Sequence, residues 1–165
     1  MPFAIPPATL AYWQRQHVQP VTDEDLRSLE VRLGQPAPAA YVEFMKTYGP
    51  VPFDDEIDCR FDHSLEGVGQ RVVRSQVVSF VKSPAQALRY YEGLQADRRL
   101  DIPAHWLPFA MDYGQGELLI EFGASAGRVF YWDFDAHDWE GSVTNLGFVA
   151  EDLYQFMAHL RPFDA

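Results

Sequence analysis

Between Leu107 and Asp133 three apolar runs, Leu107 to Met111, Glu117 to Phe122 and Arg128 to Asp133, are separated by two short glycine-bearing segments. Those segments, Tyr113-Gly114-Gln115-Gly116 and Gly123-Ala124-Ser125-Ala126-Gly127, are too short to hold a crossover helix, so neighbouring strands must run antiparallel. Such a sheet needs a second layer against its apolar face.

Helical signals crowd the first fifty residues. A short helix after Pro7 places Leu10 and Trp13 on one face, with His17 at the next position of that face. Thr22 and Asp25 form an S/T-x-x-D/E capping box, Val21 and Leu26 a hydrophobic staple, and Leu26, Leu29 and Leu33 an apolar stripe. Gly34 suits the left-handed residue that ends a helix, and Pro36 and Pro38 prevent continuation. A third helix carries Tyr41, Phe44, Met45 and Tyr48 and stops at Gly49-Pro50. The period then changes to two, with Ile57, Cys59 and Phe61 alternating against Asp58 and Arg60, and Val77, Val78, Phe80 and Val81 suggest a second strand. Ser83-Pro84 with Gln86 opens a helix that runs through Leu88 and Tyr91 to about Arg98. Val143 to Leu146 is expected as an edge strand, and Val149, Leu153, Phe156, Met157 and Leu160 as the stripe of a closing helix. The fold class expected is α+β: one domain over residues 1–165, a largely antiparallel sheet packed by N-terminal, middle and C-terminal helices.

A net charge of -11 repels phosphate backbones and anionic lipid, which disfavours direct nucleic-acid or membrane binding. The start MPFAIPPATL has no basic segment followed by a long apolar one, and no apolar run approaches the ~18 residues of a membrane span. The single Cys59 forms no internal disulfide. A soluble cytoplasmic protein is expected.

In this order stand particular words: Val21-Thr22-Asp23-Glu24-Asp25-Leu26, Glu30 with Leu33-Gly34, Pro38, Tyr41, Phe44 and Tyr48-Gly49. Leu107-Pro108-Phe109-Ala110, Asp112, Gly114, the strand Leu118 to Phe122, Gly127-Arg128-Val129 and Tyr131-Trp132-Asp133 follow. From about residue 21 to 160 the chain resembles the SUKH superfamily of Smi/Knr-like domains. The resemblance implies a small α+β domain. It further implies a role like that of bacterial members, which are immunity proteins that silence a cognate toxin, or of fungal members, which regulate cell-wall assembly. Ala37-Pro38 departs from the family's usual Leu-Pro, and Pro50-Val51 stands where a second glycine is common. The family pattern supplies no catalytic residue.

Gly123 to Gly127 also matches G-x-S-x-G, and Ser125 is followed by Asp133 or Asp135 and His159 in the order of a small serine hydrolase. That elbow needs a strand-to-helix turn, whereas Arg128 to Trp132 reads as a second strand. Asp133, Asp135 and His137 alternate, with Asp138 beside them, as a cation site requires; a solvated polar face at a strand end explains them better, because nothing fixes a further ligand. Asp54, Asp55, Glu56 and Asp58 form a second acidic group, best placed on the surface because like charges repel when buried. Cys59 reads as a buried inert thiol. G-x-x-x-x-G-K, H-E-x-x-H and G-x-G-x-x-G are absent, so no metal or cofactor is expected.

Tyr113 and Trp139 sit in loops among Asp, Glu and Gly, where packing least requires a large ring. An aromatic anchor inside an acidic rim suits a basic protein. The expected partner-binding residues are therefore Asp54, Asp55, Glu56, Tyr113, Asp133, Asp135, Asp138 and Trp139. The expected function is toxin neutralisation by an immunity protein that is not an enzyme, with a basic nuclease-type toxin as partner. A regulatory interaction domain without a toxin is the alternative, and a hydrolase using Ser125 the third.

Overall fold

The computed structural model describes residues 2–54, 59–66, 71–97, 101–123, 127–133 and 145–162. Helix α1 (Pro7–Arg15) seats Trp13, whose Nε1 donates to the Pro52 carbonyl at 2.7 Å. It ends two residues before His17, which is exposed rather than on the packed face, because Gln16 turns into extended backbone. In α2 (Asp23–Leu33) the capping box forms as its residues require. The Asp25 N–H donates to Thr22 Oγ1 at 3.1 Å and the Thr22 N–H to the Asp25 carboxylate at 2.9 Å. Gly34, at φ 68, closes that helix, and α3 (Ala39–Thr47) buries Tyr41, Phe44 and Met45. Helix α4 (Pro84–Ala96) repeats the capping box with Ser83 and Gln86.

Among the described residues six strands follow one another: β1 (Arg60–Glu66), β2 (Arg71–Val81), β3 (Trp106–Asp112), β4 (Glu117–Glu121), β5 (Val129–Trp132) and β6 (Leu146–Ala150). Each pairs antiparallel with the next, and β6 returns to β1 with Phe148 opposite Ser64, closing a barrel. The α+β class and the antiparallel, helix-packed sheet are as expected.

Two boundaries differ. The strand expected at Val143 to Leu146 begins at Leu146 and lies between β5 and β1 rather than at an edge; residues 143 and 144 lie outside the described residues. Val149 belongs to that strand, and α5 spans Leu153–Ala158, started by Asp152, whose carboxylate accepts the Gln155 N–H at 2.8 Å. Val149 keeps a helix-like spacing to Leu153 and Phe156, but only the cap fixes where a helix starts. Gly147 permits the closure: a Cβ there would lie 2.8 Å from His63 Nδ1 and 3.0 Å from the Ser64 carbonyl.

The helices meet the barrel through aromatic contacts. Tyr41 of α3 packs on Phe109 and Phe122, with ring centres 6.4 and 5.7 Å away, and Phe156 of α5 packs on Phe61 and Phe109 at 5.8 and 6.1 Å. Cys59 is buried as expected, its Sγ 3.2 Å from Thr9 Oγ1. Strand β2 is longer than Val77 to Val81 suggested, because its first half is largely exposed and so carries no apolar signature.

Candidate protein-binding site

The β3–β4 hairpin carries a polar arrangement centred on Asp112. Asp112 ends β3, and its carboxylate accepts the Gly116 N–H at 2.5 Å and the Tyr131 hydroxyl at 2.8 Å. Gln115 is held at φ 66, and a Cβ on Gly116 would collide with the Tyr131 ring, so the tip is pinned from behind by a side chain of β5. At that tip Tyr113 is 50% exposed while its hydroxyl donates to the Phe53 carbonyl at 3.2 Å. The bond ties Tyr113 to the residue that precedes half-buried Asp54 in the chain.

Behind the hairpin, Lys82 and Glu117 form a buried ion pair. The Lys82 ammonium also donates to the carbonyls of Pro108 and Ala110 at 3.4 and 3.3 Å and lies 4.3 Å from the centre of the Tyr90 ring. Burial drives both partners towards neutrality against their attraction: Lys82 is lowered and Glu117 is pushed up to about 7. Burial also raises Asp112, opposed by its hydrogen bonds from Tyr131 and Gly116. Outside this pair an open groove of about 630 Å³ runs between α4 and the hairpin, with Tyr90, Leu94, Met111, Gln115 and Glu117 in its walls.

Asp133 departs from expectation. It is 6% exposed rather than on a solvated strand end, because its backbone N–H donates to the Asn145 carbonyl at 3.0 Å and its carbonyl accepts Asn145 Nδ2 at 2.6 Å, which turns it inward beside Asp112. Asp112, Glu117 and Asp133 are thus buried carboxyl groups at the same end of the barrel, and Lys82 pairs with Glu117. Asp55, Glu56, Asp58, Ser125, Asp135, His137, Asp138 and Trp139 lie outside the described residues.

The segment around Ser125 joins β4 to β5, which pair antiparallel from Glu117 opposite Trp132 to Ile120 opposite Val129. This is a hairpin connection, not the strand-to-helix turn of a nucleophile elbow. Among the described residues no group of three or more His, Cys, Asp or Glu side chains converges as metal ligands, and no helix is long and apolar enough to cross a membrane.

Sequence reasoning missed Lys82, Tyr90, Asp112, Glu117 and Tyr131. Glu117 alternates with Leu119 in an otherwise apolar run, and Lys82 interrupts Val81 and a helix cap. That position in an apolar context was the available signal, but the two residues are far apart in sequence and nothing local pairs them. His63 was missed as well: it is buried against the Tyr131 ring, and burial pushes it down to about 4.

Compared with known proteins, residues 20–159 match the family described as the SMI1 / KNR4 family (SUKH-1). No curated protein and no solved structure matches the chain.

Proposed function

The chain belongs to the SMI1 / KNR4 family (SUKH-1), and on that premise we propose that it is a bacterial immunity protein that binds and neutralises a cognate toxin, a basic one of nuclease type. The observation that carries this reading is the hairpin tip: a half-exposed Tyr113 held through its hydroxyl by the carbonyl of Phe53, the residue before Asp54, on a hairpin whose Met111 and Gln115 line an open groove. A large ring already held in one rotamer loses little freedom on binding, which is what makes tyrosine an effective anchor. The chain's net charge of -11 would steer a basic partner towards it. Neutralisation then needs no chemistry, only occlusion of the toxin's working surface. Asp55, Glu56, Asp135, Asp138 and Trp139 are proposed to extend an acidic and aromatic surface from there.

Co-expression tests the reading. A polypeptide encoded beside this chain should arrest growth alone, cease to do so when the two are produced together, and co-purify with this chain. Co-purification with a neighbour that is harmless when produced alone would instead favour a regulatory interaction domain. Hydrolytic turnover lost in Ser125→Ala would favour the hydrolase.

A further inference from the structure

Among the described residues, the first half of β2 has no strand beside it on one side. The Tyr113 N–H donates to the Val77 carbonyl at 3.1 Å, so the backbone of Val77 points away from β1 and towards β3, whereas the Val78 N–H donates back to the Cys59 carbonyl at 2.9 Å. Backbone groups alternate between the two sides of a strand, so the N–H and C=O groups of Arg71, Val73 and Ser75 point the same way as those of Val77. The β2–β3 ladder does not reach them, since its register runs from Val78 opposite Asp112 to Val81 opposite Ala110. Among the described residues no strand pairs with Arg71 to Gln76 on that side. Arg71, Arg74 and Ser75 are exposed there, and Val73 is 62% exposed.

An unpaired edge is a template for a further strand. Its charge decides which strand. In a chain of net charge -11 this edge carries Arg71 and Arg74. Pairing with the same edge of a second copy would bring these arginines near their equivalents and join two strongly anionic molecules, so a second copy is a poor occupant. We propose that the edge from Arg71 to Gln76 accepts an extended segment of a partner protein as an additional antiparallel or parallel strand, with acidic side chains of that segment beside Arg71 and an apolar one over Val73. Backbone hydrogen bonds would supply affinity and the alternating side chains specificity. The inference rests on backbone geometry and is independent of the toxin reading.

The probe is a blocked peptide of sequence Glu-Glu-Val-Val-Glu-Glu-Val-Val, which puts a carboxylate and an apolar side chain on each face of a strand, together with its lysine counterpart. Titration into the whole chain, followed by amide NMR, should slow exchange at Arg71, Val73 and Ser75, whose N–H groups face outward, and leave Val72 and Arg74 unchanged. The lysine peptide should not bind. Val73→Pro removes one outward donor without touching the β1 ladder, so it should keep the thermal midpoint and weaken binding by at least about tenfold. Arg71→Glu should weaken the glutamate peptide and admit the lysine one, which keeps the test sharp if the proline variant fails to fold. Absence of binding, protection elsewhere on the barrel, unchanged affinity in both variants, or self-association through this edge in sedimentation would each overturn the proposal.

Discussion

Lys82→Met tests the reading of the buried barrel end directly. The substitution keeps the aliphatic bulk but removes the ammonium that faces Glu117 and donates to the carbonyls of Pro108 and Ala110. Truncating one partner of a buried ion pair costs about 3–5 kcal/mol, because the other charge is left in a poor solvent. That cost depends on whether Glu117 is charged. Even beside Lys82, burial raises Glu117 from 4.5 to about 7, so folding favours its protonated form. The stability this contributes is fully present below the ordinary value of 4.5 and is lost as pH rises through about 7, on the order of 3 kcal/mol across that window. Without the ammonium the folded-state value climbs further and the loss extends to higher pH. Urea unfolding should therefore show a deficit of about 1 kcal/mol at pH 5, from the lost hydrogen bonds, and about 3–5 kcal/mol at pH 8. Lys82→Met combined with Glu117→Leu should recover most of the loss at pH 8, since an apolar pair of similar volume needs no counter-charge. An equal deficit at both pH values, or a double variant less stable than the single one, would refute this account.

Three other outcomes are expected. Leu29→Ala, in a side chain that is 0% exposed, should cost about 2–5 kcal/mol, and a denaturation midpoint unchanged within error would contradict the packing of α2. Gly116→Ala should cost about 1–3 kcal/mol in thermal unfolding, because the added methyl displaces the Tyr131 ring and with it the hydroxyl bound to Asp112. Against the purified toxin, surface plasmon resonance should show association slowing as salt rises, while Tyr113→Ala and Trp139→Ala chiefly raise the off-rate, each by about 2 kcal/mol if it is a hot spot; salt-independent association with unchanged off-rates would sink the acidic-surface model.

What the sequence made legible is what short-range chemistry determines. The boxes at Thr22 and Ser83 involve residues three apart, and both helices start where those residues place them. The hairpin at Tyr113 to Gly116 was readable because glycines and a short gap between apolar runs mark a turn. The closing strand was not, since Leu146 to Ala150 is followed within a few residues by a helix, and Val149 satisfies the spacing of both. The buried pair escaped for a different reason: a lysine and a glutamate look solvated one at a time, and only the pairing of β2 with β3 and of β3 with β4 brings Glu117 to Lys82. Asp133 likewise read as a surface carboxylate because its inward turn depends on Asn145, beyond the loop that joins β5 to β6.

The closure between β1 and β6 also governs how the molecule is made. Ser64 and Phe148, which face each other across that seam, stand about half the chain apart, whereas β3, β4 and β5 find one another across short connections. Joining distant segments requires ordering much of the intervening chain first, so the meander should form early and the seam late, on the millisecond-to-second scale of topologies dominated by distant pairings. Until the seam closes, β1 and β6 each present an unsatisfied row of backbone donors and acceptors, together with Phe61 and Leu65, to whatever else is in solution. Mutations at Gly147, which sets how closely the two strands approach, therefore act on the last step of folding and on yield before they act on the finished barrel.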